Sequence, residues 1–144
     1  MMKKIIYLSL IFLVTIIAGC SSAKSAMPLD MITAHKWRLE SIHGQSADAS
    51  QYGNGLPTAS FTTDNKVMGT GGCNSYSESF NISDEGGINI SKLISTKMAC
   101  EKGSDKETDF LNTLNKANQA KIDEDKLTLM NGVEEILVFR PLQE

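Results

Sequence analysis

The stretch KVMGTGGCNSYSESFNIS, residues 66–83, decides how the rest of the chain is read. It begins as a glycine-heavy strand and continues as a serine-rich one. Gly69, Gly71 and Gly72 bring no side chain to a packed face, so they mark bulges or a sharp bend. A phosphate loop does not fit. GTGGCN lacks the lysine and the Ser/Thr of that motif, and no helical pattern follows it directly. What remains is backbone geometry beside Cys73 in a β-rich context.

Strand signals continue on both sides. Upstream, Trp37, Leu39 and Ser41 alternate with Arg38, Glu40 and Ile42. TASFTT, 58–63, is a second strand with Ala59 and Phe61 on one face, and Asp64-Asn65-Lys66 turns the chain. Downstream, DEGG at 84–87 is a turn and INIS at 88–91 a short strand. AKIDE, 120–124, and KLTLM, 126–130, form a hairpin turned at Glu124-Asp125, with Leu127 and Leu129 alternating. Asn131-Gly132 is a strong turn dipeptide. EEILVFR, 134–140, is the last strand, with Ile136 and Val138 on one face and Leu137 and Phe139 on the other, and Pro141 ends it.

One helix is expected at about 105–118. Ser104 and Glu107 have the spacing of a capping box, and Phe110, Leu111, Leu114 and Ala117 share one helical face. Such a helix lies on a sheet or plugs a barrel end. HGQSADASQYGNGLP, 43–57, has almost no apolar period and reads as a long loop, which in a ligand-binding barrel would be the one to gate the mouth. Many short strands with one helix predict a mainly β domain, a small barrel or curved sheet.

The N-terminus sets the address. Lys3 and Lys4 precede an apolar run from Ile5 to Ile17, too short for a comfortable transmembrane helix of about 20 residues. The pattern is that of a signal peptide. Ile17-Ala18-Gly19-Cys20 is similar to a bacterial lipobox, in which the cysteine thiol is lipidated and the chain is cut before it. Residues 1–19 are therefore expected to be a leader and Cys20 to carry the anchor; several acyl chains hold a protein stably to a membrane. Ser21, rather than an aspartate, favours outer-membrane sorting, with the domain in the periplasm or at the cell surface. Residues 20–34 read as the lipidated cysteine and a flexible tether, and 35–142 as one domain.

Without Lys3 and Lys4, the 14 basic residues become 12 against 17 acidic, a net charge of −5. A mildly acidic domain without a basic cluster is a poor nucleic-acid binder. The Lys/Glu/Asp mixture at 101–109 reads as a solvated face. Beyond Cys20, Cys73 and Cys100 remain, and an even pair in an oxidising compartment reads as a disulfide. Two buried free thiols are the alternative.

Catalytic chemistry finds few candidates. The only histidines are His35 and His43, with Trp37 between them. Cys73 with either would form a thiol–imidazole pair, against the plainer reading of a half-cystine and two exposed imidazoles. No G-x-S-x-G elbow is present. Two histidines and scattered carboxylates form no recognisable metal-ligand set, and no cofactor motif is found. Asn74 either presents its amide to a ligand or, the preferred reading, caps a turn.

Taken in order, W-x-L at 37–39, GTGGCNSY at 69–76, STKMAC at 95–100, Phe110 to Leu114 and LTLMNG…LVF at 127–139 resemble the META-domain, or HslJ-like, family of bacterial envelope proteins. The resemblance implies a compact β-barrel-like domain with one helix and makes Cys73 and Cys100 the family's paired motif cysteines. It implies no catalytic activity; the family's links are with envelope or heat stress, drug tolerance and secretion. The expected function is non-enzymatic, through an envelope protein partner. The alternative is a barrel binding a small apolar or lipid-like ligand, which fails if Trp37, Phe61, Leu127, Leu129 and Val138 or Phe139 fill the interior.

Overall fold

The computed structural model describes residues 29–143; residues 1–28, with the expected leader and Cys20, lie outside the described residues. The chain opens with helix α1, Leu29–Thr33, inside the segment expected to be tether. Ile32 explains its order: its side chain is fully buried and its carbonyl accepts the Trp37 indole N–H at 2.8 Å.

Strands follow wherever apolar side chains alternate. β1, Lys36–Ile42, points Trp37 and Leu39 inward; β3, Thr58–Phe61, does so with Ala59 and Phe61. Between them, the short β2, Gln45–Ser46, folds back on β1. β4, Lys66–Thr70, and β5, Ser75–Ile82, are the two halves of the opening stretch, paired antiparallel from Lys66↔Ser79 to Thr70↔Ser75. β6, Ile88–Ile90, and β7, Ile94–Ser95, pair with opposite ends of β5. After helix α2, Ser104–Leu114, come β8, Gln119–Asp123, β9, Lys126–Asn131, and β10, Glu134–Pro141.

The main path runs β6-β5-β4-β3-β1-β10-β9-β8, with β2 and β7 attached to β1 and β5. Its two ends meet. Gly87 and Gln119 form a bridge, Ile88 N–H donates to Asn118 O at 3.1 Å and Ala120 N–H to Gly86 O at 2.7 Å. The curved sheet thus closes on itself as a small barrel, the solution that removes exposed edges.

The interior holds a large apolar cluster. Trp37, Phe61, Leu127, Leu129, Leu137 and Phe139 lie in one contiguous buried cluster. α2 adds Phe110, whose ring centroid lies 6.0 Å from Tyr76 and 6.3 Å from Phe139, so the helix plugs the barrel. β10 departs from simple alternation. Its register to β9 shifts between Glu135 and Leu137, and Ile136, at this bulge, is buried along with Leu137 and Phe139.

Candidate functional site

The GTGGCN stretch ends β4 and leads into β5 at the place where three otherwise separate segments converge. Asn74 is the hub. Its backbone N–H donates to Glu107 Oε1 at 2.9 Å and its side-chain Nδ2 to Oε2 at 3.0 Å. Its Oδ1 accepts from Met98 N–H at 2.6 Å and from the Thr96 hydroxyl at 3.0 Å. One amide therefore ties the start of β5, segment 96–98 and helix α2. It caps no local turn; it pairs with the buried Glu107 carboxylate, which is the condition for burying both, and ties the exposed 96–98 segment to them.

The glycines follow from this crowding. A Cβ on Gly71 would lie 2.7 Å from Glu107 Cγ. Gly72 has φ of 106° and faces the Tyr52 ring, so a side chain there meets both backbone strain and an aromatic wall. Asn54 N–H donates to Gly72 O at 2.6 Å and pins the 43–57 segment against the motif. That segment is not an open gate. It holds β2, a 3₁₀ turn at Ala49–Gln51 started by Asp48, and Tyr52, which is buried.

Cys73 follows directly and is bonded to Cys100, with Cα atoms 6.3 Å apart. The two sulfurs and the Glu107 carboxylate lie within 4.8 Å of one another. Asn74 Nδ2 also approaches Cys100 Sγ at 3.8 Å. A groove of about 350 Å³ opens beside the disulfide, lined by Gly53, Asn54, Met98, Ala99, Glu101 and Lys102. Cys73 is buried and Cys100 half-buried.

Glu107 is the member that sequence reasoning placed in another role. The spacing from Ser104 predicts a capping box. In the structure Gly103, with φ of 82°, is the N-cap, and no side chain caps the helix. Ser104 is already the first helical residue, and the Glu107 carboxylate is committed to Asn74 instead. Its partner lies 33 positions away, beyond any local pattern. Its place on the buried face, three residues before Phe110, is the one signal that pointed inward.

The histidines stand apart from this cluster. His35 stacks edge-on to Trp37 at 5.5 Å between centroids. His43 Nε2 lies 3.0 Å from the Thr113 hydroxyl and 3.6 Å from Asp109 Oδ1. The thiol–imidazole pairing of Cys73 is not formed, because its sulfur is in the disulfide and both rings are engaged elsewhere. Nor is His43 the middle of a relay. A relay uses the two ring nitrogens for different partners, whereas Thr113 and Asp109 share Nε2.

Fold and site together define a small β-barrel domain plugged by one helix and stapled by a disulfide beside a buried Asn–Glu pair. The chain matches the META domain over residues 30–144 and belongs to that family. Three solved structures share the fold. A protein from Burkholderia xenovorans, determined by NMR, is similar with a TM-score of 0.64 and 20% identity, covering 81% of this chain and 87% of its own. Another protein determined by NMR has a TM-score of 0.62 and 20% identity, covering 80% of this chain and 95% of its own. A crystal structure of a DUF4847 family protein from Bacteroides vulgatus has a TM-score of 0.59 and 12% identity, covering 80% and 97%. No curated protein matches the chain.

Proposed function

We propose that this META-domain protein is a lipid-anchored resident of the bacterial cell envelope that acts by contact, in envelope maintenance or stress tolerance, and not by catalysis. The observation that carries this reading is the filled barrel. A barrel that binds a small ligand keeps a cavity at its centre. Here Trp37, Phe61, Leu127, Leu129 and Phe139, the residues that would line such a cavity, pack against one another and against Phe110. A groove of about 670 Å³ runs outside the barrel between residues 92–95 and α2. A domain whose central side chains pack together offers its surface for contact, and a tether concentrates that surface at the membrane.

The anchor rests on Lys3, Lys4, the 5–17 apolar run and Ile17-Ala18-Gly19-Cys20. The apolar run is shorter than the about 20 residues of a transmembrane helix and ends at a cysteine, which favours attachment through a lipid at Cys20. Cys20→Ala tests it. Cells fed an alkyne fatty acid should label the wild-type protein in the outer-membrane fraction, and the variant should carry no label. Equal labelling of both would overturn the anchor. Crosslinking in intact cells, with mass spectrometry of proteins and extracted lipids, tests the mode of action. A reproducible envelope-protein adduct is expected, and a lipid co-purifying one-to-one with the domain would replace the contact reading with a ligand barrel.

A further inference from the structure

The Cys73–Cys100 disulfide holds together more than two strands' worth of chain. It sits against a buried carboxylate, with a groove open on its other side. We infer that Cys73, Cys100 and Glu107 form a thiolate–carboxylate site for a zinc-like divalent cation, and that this site exists only when the disulfide is reduced.

Distance and chemistry carry the inference. With the two sulfurs joined, a Glu107 carboxylate oxygen lies within 4.8 Å of each of them, and the Cα atoms of the cysteines are 6.3 Å apart. Two sulfurs and one carboxylate oxygen are a ligand set that suits zinc, whose bonds are about 2.3 Å to sulfur and about 2.0–2.2 Å to oxygen. Local sequence patterns do not show it, because 73, 100 and 107 come from the β4–β5 connection, a coil and a helix and follow no ligand spacing. Glu107 is already held as an outer-shell partner would hold it: Asn74 donates one N–H to each carboxylate oxygen and leaves each a free lone pair. Cys73 and Glu107 are buried, so the site is walled from solvent on one side. The groove along Gly53, Asn54, Met98 and Glu101 supplies the entry path and room for a water as fourth ligand.

Charge explains why reduction and binding go together. Two thiolates beside a buried carboxylate would place three negative charges in one cluster, which is costly without a counter-charge. The disulfide removes two of them; a divalent cation neutralises two of them. In the first step the disulfide takes two electrons and two protons from an external dithiol, whose own sulfurs close into a disulfide. In the second, the two thiols release their protons to solvent as the cation forms two metal–sulfur bonds and one metal–oxygen bond. The oxidised and metal-bound forms are then two closed states of the same corner of the barrel.

The test uses the full chain carrying Cys20→Ala, so that no third thiol competes. After reduction with a phosphine and removal of the reductant, Co²⁺ serves as the spectroscopic probe and Zn²⁺ as the competitor. One Co²⁺ per chain should bind with a sulfur-to-metal charge-transfer band, displaced by one equivalent of Zn²⁺; the oxidised chain should show no band. Zn²⁺ should also raise the melting temperature of the reduced chain and leave that of the oxidised chain unchanged. Cys73→Ser and Cys100→Ser should each abolish the band, and Glu107→Gln should weaken Zn²⁺ binding at least tenfold. Circular dichroism follows folding in every sample. A reduced chain that binds no more metal than the oxidised one overturns the site, as does a reduced chain that unfolds and stays unfolded with Zn²⁺. Glu107→Gln binding as tightly as the parent overturns the three-ligand assignment.

Discussion

Asn74 and Gly71 face the same carboxylate, and each constrains it differently. Asn74 gives Glu107 both of its hydrogen bonds, while Gly71 gives it room. Gly71→Ala would set a methyl 2.7 Å from Glu107 Cγ and 2.9 Å from Oε1. Since the carboxylate is held by Asn74, it cannot retreat freely, and the expected loss is about 1–3 kcal/mol. Urea unfolding should show a lower midpoint with an unchanged slope; an unchanged midpoint would mean Glu107 moves aside without cost. A second residue-scale effect concerns Tyr76. Burial pushes its phenol well above the usual 10.0, and its hydroxyl donates to Thr58 O at 2.8 Å. Above pH 10 the unfolded chain loses this proton while the folded chain keeps it, so the unfolded state binds fewer protons and stability falls. Below pH 10 both states hold the proton and the contribution is constant. The slope from this one group approaches about 1.4 kcal/mol per pH unit above pH 10. Tyr52, raised first by burial and then by Asp109, acts in the same direction. Tyr76→Phe should flatten the alkaline limb of stability measured by denaturation between about pH 9 and 11, and an equally steep limb in the variant would assign it to other groups.

At the scale of elements, local pattern and tertiary contact divide the credit. The strands containing Trp37, Ala59, Phe61, Leu127 and Leu129 were legible because each alternates cleanly against polar neighbours. α2 was legible as an apolar stripe but not in its ends. It closes at Leu114 rather than at 118, with Asn115 as C-cap, and Ala117 is buried just beyond it. Its start is set by Gly103, whose neighbours are Gln51 and Tyr52, residues that no helical pattern contains. The 43–57 segment reads as a plain loop for the same reason: Tyr52 is a lone aromatic among polar residues, and only the distant Gly72 shows where it packs. The Ile136 bulge likewise breaks alternation for a register that depends on β9. The most consequential element is the plug. Phe110 is fully buried between Tyr76 and Phe139, and Phe110→Ala would leave a cavity at the barrel end. The expected cost is about 3–5 kcal/mol, read as a lower urea midpoint. A loss under about 1 kcal/mol would show that the helix collapses inward and that the plug is not a fixed part of the core.

For the whole molecule, the decisive feature is that the pairings that close the barrel join distant parts of the chain. β1 pairs with β10, Trp37 opposite Pro141, and the seam joins β6 to β8 across the whole of α2. Such topology concentrates its gain in contacts that form only after long loops have closed. The disulfide acts on this weakness. It closes 27 positions that contain β5, β6 and β7, and it ends just before α2, so it fixes one flank of the seam to the base of the plug. In the chain-entropy account a loop of that length is worth about 3–4 kcal/mol, of the same order as the plug itself and a large share of the stability of a small domain. Reduction in metal-free buffer, on the Cys20→Ala chain, should therefore lower the melting temperature by more than about 10 °C. The amides of Ile88 and Ala120, which carry the seam, should lose hydrogen-exchange protection before those of Leu127 and Leu129 in the filled centre. A melting curve indifferent to reduction would mean that the seam and plug hold each other unaided. In that case the two cysteines would be free to serve the chemistry of their corner rather than the stability of the barrel.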